Sequence, residues 1–365
     1  MRYCSFVVKI GLMFSLVVVI SCREGERLTG VDRKAGKIHE RILTLDTHAD
    51  TPLELDQIDL RGGNVSDERI GNVDFPRMKK GGLDAVFFAV YISQGPRNKK
   101  EYELAREKVL GIFREIHFAL ERNTDLAELA LTSSDAGRIE KLGKRAVYIG
   151  IENGYAIGID LTLLKTYYDL GARYITLCHS GNNDICDSST DNNGPEHNGL
   201  SDFGKQVIKE MNRLGIIIDV SHISDEAFND VIEASKAPVI ASHSCTRELC
   251  GHPRNLSDDM LLKLKENEGV VQITLVSSFV KTRKDADEIA AAYDSLIIKY
   301  GDPDTLDPAR LENFREAYNE IRGKYPRIYA TVADLVDHID HVVELIGVDH
   351  VGIGSDFDGG GGLTD

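Results

Sequence analysis

The strongest constraint in this sequence is an alternation of eight apolar runs with stretches of helical period. The runs are "ILTLDTHAD" (42–50), "LDAVFFAVYI" (83–92), "RAVYIGIEN" (145–153), "RYITLCHS" (173–180), "GIIIDVSH" (215–222), "PVIASHS" (238–244), "GVVQITL" (269–275) and "HVGIGSDFD" (350–358). Their bodies are rich in Val and Ile and mostly unbroken by charge, as expected of strands covered on both faces. Between them, "SDFGKQVIKEMNRLG" (201–215) reads as a helix with Ser201 as N-cap, a stripe of Phe203, Val207, Ile208 and Met211, and Gly215 just past its end. "SDEAFNDVIEAS" (224–235) and "SDDMLLKLKEN" (257–267) repeat the plan, each with acids in the first turn that favour the helix dipole. Eight strands alternating with helices predict an α/β chain folded as a (β/α)8, TIM-like barrel. The alternative, an open doubly wound sheet, lacks support because no glycine-rich dinucleotide turn follows the first run.

The rest of the chain divides around that pattern. Residues 1–22 read as an export signal: Arg2 and Lys9 precede an apolar run too short for a comfortable membrane span, and "VISC" (19–22) resembles a bacterial lipoprotein box with Cys22 as the lipidated residue. The expected product is an exported lipoprotein on the periplasmic or cell-surface side, in contact with the membrane through lipid at Cys22. Residues 23–40 form a linker, and 41–365 one barrel. "DFDGGGGLTD" stops directly after the last run, so the barrel is expected to be C-terminally truncated. Residues 93–135 form a long charged helical connection. Residues 276–330, with a Tyr-rich helix near 309–323, form an elaborated insertion rather than a second domain, having no apolar runs of their own. Cys178, Cys186, Cys245 and Cys250 could pair in an oxidising compartment, with connectivity open. The net charge of −16 argues against a nucleic-acid partner.

Barrel chemistry is built at the C-terminal ends of the strands. There the runs place His48 and Asp50, Glu152, His179, His222, His243 and Asp356. Four of the eleven histidines thus end four different runs. Neutral imidazoles and carboxylates aimed at one point are what a metal such as Zn2+ needs, and the set as a whole predicts a metal site at the barrel mouth. His48 and Asp50 lie two apart, so extended chain would point both the same way. His338 and His341 fall on a helical pattern and are expected on the surface or in packing. His117 and His197 carry no readable context. His252, in "GHPRN", mainly shapes a loop, although it could line the site.

In chain order, "DTHADTP", "GIENG", "TLCHSGNND", "GIIIDVSHIS", "PVIASHS", "HPRNL" and "HVGIGSDFDG" together resemble the membrane dipeptidase family, the renal dipeptidase-like metallopeptidases of family M19. The resemblance implies two Zn2+ per chain. His48 and Asp50 would bind one, His222 and His243 the other, and Glu152 would bridge them. It further implies that His179 contacts the scissile carbonyl, that Arg254 holds the substrate carboxylate, and that Asp356 contacts the amine and shuttles protons. The function implied is zinc-dependent hydrolysis of dipeptides by a hydroxide held between the metals. A grip on both ends of the substrate would exclude longer peptides, and a planar guanidinium suits a carboxylate. Cys178 and Cys186 around His179, and the long 276–330 segment, depart from anything the resemblance explains. Two other readings compete. One is another barrel metal hydrolase acting on a cyclic amide, lactone or phosphotriester; such enzymes commonly start with His-x-His and use a carbamylated lysine, whereas here the first run ends His-Ala-Asp and no lysine ends a run. The other is a non-catalytic lipid-anchored binding relic, which would be expected to have lost a ligand. A homo-oligomer is left open.

Overall fold

The computed structural model describes residues 30–55, 60–61, 71–301, 306–326 and 328–364. The expected export segment and its Cys22 lie outside the described residues. The chain divides into two compact units, 1–42 and 43–365. In the first, α1 (Gly30–His39) is a helix with no buried residue.

The second unit runs β1 (Leu45–Ala49), α2 (Phe75–Gly81), β2 (Ala85–Tyr91), α3 (Lys99–Arg122), β3 (Ala127–Leu129), α4 (Ser133–Glu140) and β4 (Arg145–Glu152). It continues with α5 (Thr162–Asp169), β5 (Ala172–Thr176), α6 (Asp202–Leu214), β6 (Ile217–Asp219), α7 (Asp225–Ala234), β7 (Ile240–Ser244), α8 (Asp258–Glu266) and β8 (Val270–Ile273). The last elements are α9 (Ser277–Val280), α10 (Ala286–Tyr300), α11 (Pro308–Lys324), α12 (Val332–Ile346) and β9 (Val351–Ile353). Strands β1, β2, β4, β5, β6, β7, β8 and β9 pair in that order, all parallel, and β9 closes on β1 with Ile353 opposite Asp46. The expected eight-stranded barrel is therefore present.

Three features differ from the sequence reading. The charged connection after β2 contains a strand, β3, which pairs with the lower part of β4 (Leu129 opposite Val147), while β5 takes the upper part from Ile149 onward. Three residues flanked by helices carry too little periodicity to be legible. Several runs also leave the sheet early: β5 ends at Thr176, β6 at Asp219 and β9 at Ile353, so His179, His222 and Asp356 stand on loops beyond their strands. Lastly, Cys178, Cys186, Cys245 and Cys250 are buried free thiols rather than bridged.

The helix signals hold. Ser201, Ser224 and Ser257 accept from the amides of Gly204, Ala227 and Met260, and Gly215 ends α6 in the left-handed region at φ 78°. Outside the barrel, Val86, Phe88 and Val90 of β2 belong to the same buried core as Val109, Phe113 and Ile116 of α3. On the alternate positions, Phe87, Tyr148 and Tyr174 cluster with Ala136 and Ile139 of α4, and the Tyr148 hydroxyl donates to the Thr132 carbonyl at 2.8 Å. Phe87 lies 4.8 Å from the Tyr148 ring and 5.0 Å from Tyr174, centroid to centroid.

The Tyr174 ring fits only because Gly150 faces it. A Cβ at Gly150 would sit 2.1 Å from a Tyr174 ring carbon, and Tyr174 is fully buried. Gly150→Ala is therefore expected to destabilise the fold by about 1–3 kcal/mol through overpacking. The check is a lower urea midpoint at unchanged slope; an unchanged midpoint would show that the ring can move aside.

Candidate metal centre

Two buried aspartates in the strand bodies fix the barrel mouth. Asp46 Oδ1 accepts from the amides of His48 at 3.1 Å and Ser355 at 2.8 Å, tying β1 to the loop after β9. Asp219 Oδ1 accepts from the amides of Ser221 at 3.0 Å and Ser242 at 2.9 Å, tying the end of β6 to β7. Each carboxylate thus fastens the chain two residues ahead of it to a neighbouring segment, which is where the candidate ligands stand.

His48 is fully buried, with Nδ1 2.8 Å from the Tyr174 hydroxyl. Its Nε2 lies 3.6 Å from both Asp50 Oδ2 and Glu152 Oε2, with no hydrogen-bond partner. Asp50 does not reach this place by strand alternation, as the sequence spacing implied. Its backbone turns out of β1 at φ −84° and ψ 18°, and its amide donates to the Phe357 carbonyl at 2.8 Å. Glu152 ends β4. Its Oε1 is 3.0 Å from His222 Nε2, 3.4 Å from His243 Nε2 and 3.8 Å from His179 Nε2. The two oxygens of one carboxylate therefore face two donor sets: His48 and Asp50 beside Oε2, and His222 and His243 beside Oε1.

His222 holds its position with a left-handed backbone, φ 72°, and Asp356 with φ 58°. Such angles are uncommon for side-chain-bearing residues and mark a backbone constrained by its surroundings. The Asp356 amide donates to the His48 carbonyl at 2.9 Å. His179 is the more accessible imidazole. Its Nδ1 is 2.9 Å from Ser180 Oγ, and its ring meets the Tyr91 ring edge-on at 5.0 Å.

The electrostatics match the donor geometry. Burial, followed by the Arg254 charge, holds His222 well below the usual histidine range, and burial with the neighbouring His48 pushes His243 down to about 3. Burial also lowers His179. Neutral imidazoles are the form that binds a metal. Burial opposes the Glu152 charge, but His48, His222 and His243 around it outweigh burial and keep the carboxyl well below its usual range. His48 is the exception: burial opposes its charge, yet Tyr174, Glu152 and Asp50 raise its affinity for a proton well above the usual histidine range, so a metal bound there would displace that proton. Burial and the Asp50 carboxylate raise Asp356 well above the ordinary value.

Three carboxylates converge here in a site largely removed from water, an arrangement that requires cationic compensation. His48 Nε2 and Asp50 Oδ1 are buried without partners, and the Nε2 atoms of His222 and His243 face each other at 2.9 Å. Nitrogen lone pairs and carboxylate oxygens packed this way fit a borderline divalent cation such as Zn2+. Three ligand-capable groups overlap: His48, Glu152 and His243; Glu152, His179 and His222; and His48, Asp50 and Asp356.

The centre opens into a pocket of about 450 Å³, lined among others by Asp50, Glu152, His179, Asp356, Arg254 and Phe279. Arg254 is buried. Its Nη2 donates to the His243 carbonyl at 3.0 Å and its Nη1 to Ser244 Oγ at 3.3 Å, while Nε has no partner. His252 lines the pocket as well, and its Nδ1 accepts from the Arg254 amide at 3.1 Å, so it shapes the loop and borders the site. The remaining histidines lie elsewhere. His338 is a buried packing residue, His341 is 2.8 Å from Asp258, and His117 and His197 bond the carbonyls of Leu170 and Asn183.

The structure brings together every ligand candidate read from the sequence and adds residues that were missed. Ser242 Oγ donates to Asp219 Oδ2 at 2.6 Å, so at 2.8 Å it accepts from His243 Nδ1–H. That leaves the Nε2 lone pair directed at the centre. Tyr174 occupies the Nδ1 side of His48, its hydroxyl 2.8 Å away. The available signal was the interruption of apolar runs by Asp46, Tyr174 and Asp219.

A barrel with clustered imidazoles and carboxylates at its mouth defines the class of metal-dependent barrel proteins. Residues 32–365 match the family model described as membrane dipeptidase, peptidase family M19, and the chain belongs to that family. It is 34% identical over 341 residues to dipeptidase verJ of Clonostachys rogersoniana, covering 89% of this chain and 74% of the relative. It is 34% identical over 298 residues to dipeptidase aclJ of Aspergillus oryzae, covering 80% of this chain and 60% of that one. The chain thus spans about three-fifths to three-quarters of these relatives. A crystal structure described as the probable dipeptidase PvdM from Pseudomonas aeruginosa superposes with a TM-score of 0.77 at 29% identity, over 90% of this chain and 87% of the other.

If Tyr174 and Ser242 orient their histidines, Tyr174→Phe and Ser242→Ala are each expected to weaken metal binding about 10–100-fold. Competition with a fluorescent chelator measures this, with circular dichroism confirming the fold. Unchanged affinity in both folded variants would remove them from the site.

Proposed function

We propose that this chain is a zinc-dependent dipeptidase with two metals per chain. The observation that carries the reading is the division of Glu152 between two donor sets within a pocket lined by both carboxylates and a buried arginine. Family membership supports it. In this reading His48 and Asp50 hold one Zn2+, His222 and His243 the other, and Glu152 lies between them. When bound, the metals supply a water made nucleophilic near neutral pH and an electrophile for the carbonyl.

The chain's own residues do the rest. Arg254 lines the pocket, has a buried donor without a partner, and receives the C-terminal carboxylate of the substrate. Asp356 lines the same pocket and receives the N-terminal ammonium. It also accepts the proton released by the attacking water and returns it to the leaving amine. The raised affinity of Asp356 for a proton arises from burial beside Asp50, and neighbouring dications would counter it, making the carboxylate available as a base. His179, neutral and accessible, donates toward the carbonyl oxygen as charge develops there. A substrate gripped at both ends has a fixed length, which selects dipeptides over tripeptides. Export as a lipoprotein through Cys22 belongs to the same reading and rests on "VISC" at 19–22. No helix among the described residues is long and apolar enough to cross a membrane.

The test is hydrolysis of a dipeptide panel by protein loaded with Zn2+ and after chelation, with a tripeptide and Asp356→Asn as controls. Expected are chelator-sensitive cleavage of dipeptides only and a loss of about 10²–10⁴-fold in kcat for the variant. Metal binding without cleavage of any dipeptide would overturn the substrate assignment. Protein that folds but holds no metal would overturn the reading altogether.

A further inference from the structure

The wall of the pocket beside Arg254 is built by α9, the first turn of the 276–330 insertion. Val276 and Phe279 present half-buried apolar side chains to the pocket. The Phe279 ring lies 5.3 Å from the Arg254 guanidinium carbon and 4.6 Å, centroid to centroid, from the His252 ring. Opposite Val276 stands Gly360, where an added Cβ would meet only Val276, at 3.9 Å, so the space beside this wall is roomy.

The backbone of this turn is fixed from below by groups outside the site. His338 on α12 is buried; its Nδ1 lies 3.1 Å from the Thr246 amide, from which it accepts. Its Nε2 therefore carries the proton and donates to the Val280 carbonyl at 2.8 Å. Asn255, next to Arg254, donates to the Phe279 carbonyl at 2.8 Å and accepts from the Cys245 amide at 3.2 Å. Ser277 Oγ donates to the Gly362 carbonyl and accepts from the Ala330 amide, each at 2.9 Å. Side chains reach the carbonyls of residues 279 and 280, so the main chain is held while the Phe279 ring faces the pocket.

From this arrangement we infer that Phe279 and Val276 form a fixed apolar subsite for the side chain of the substrate's C-terminal residue, with His338 and Asn255 as its positioning residues. The inference rests on Arg254 receiving the C-terminal carboxylate. A residue anchored there carries its side chain on the adjacent carbon, within reach of a ring that itself packs against the guanidinium. The substrate class is a dipeptide with an apolar C-terminal residue. A basic side chain would meet the Arg254 charge, and an acidic one would lose hydration against an apolar wall without gaining a free partner.

The test compares Ala-Leu with Ala-Gly, using the full chain loaded with Zn2+. The wild type is expected to show a KM roughly tenfold lower for Ala-Leu, in line with what burial of a few methylenes contributes to discrimination. Phe279→Ala is expected to bring the KM ratio close to one. His338→Leu, which cannot donate to Val280, should reduce the ratio; His338→Gln, which can both donate and accept, should restore it. Dissociation constants for the same two compounds with the amide replaced by a non-cleavable methyleneamine link give the ratio independently of turnover. Cleavage of dipeptides without a Leu-over-Gly preference, or a ratio untouched by Phe279→Ala, overturns the subsite and leaves the hydrolase reading intact. Preferential binding of the leucine analogue with no dipeptide cleaved keeps the subsite and fails the hydrolase reading. Binding of neither analogue overturns the subsite.

Discussion

The structure turns on one buried carboxylate. Glu152 ends a strand whose every residue is buried, and its charge is tolerated only because imidazoles from β1, β7 and the loops after β5 and β6 surround it. Removing a carboxylate from water costs several kcal/mol unless partners compensate. The closed barrel supplies them, because closure brings β1 and β7 to the same mouth as β4 although they lie far apart in sequence. An open sheet of the same strands would leave these groups spread along an edge.

The ligands owe their aim to polar groups inside the strands. Asp46 and Asp219 break the apolar runs, and each joins its strand end to the neighbouring segment through backbone amides. Tyr174 and Ser242 then occupy the Nδ1 sides of His48 and His243, leaving Nε2 toward the centre. Tyr174 stands where it does because Gly150, paired with it on the neighbouring strand, has no side chain. A packing choice in the barrel interior and the orientation of a metal-ligand candidate are thus the same fact seen from two ends.

The long insertion after β8 also has a local logic. Its first turn is hydrogen-bonded to the loop that carries Arg254 and to α12, while α10 and α11 pack chiefly on each other. The wall that faces the pocket is therefore held by the barrel side and by the end of the insertion, where the Ala330 amide donates to Ser277 Oγ.

Much of this was readable beforehand. The eight runs gave the barrel because strands buried on both faces must be apolar, and Ser201, Ser224 and Ser257 marked helix starts because a free amide needs an acceptor. His48, Asp50, Glu152, His179, His222, His243 and Asp356 stood out as polar groups ending apolar runs. Sequence could not show that Asp50 leaves the strand, that His222 and Asp356 adopt left-handed backbones, or that β3 exists, because hydrogen bonds to distant residues decide these points. Nor could it show Tyr174 beside His48, or His338 holding the turn that carries Phe279. Side-chain chemistry and its period are local and written in the chain; which atoms meet depends on barrel closure, which joins residues hundreds of positions apart, and only the tertiary structure decides that.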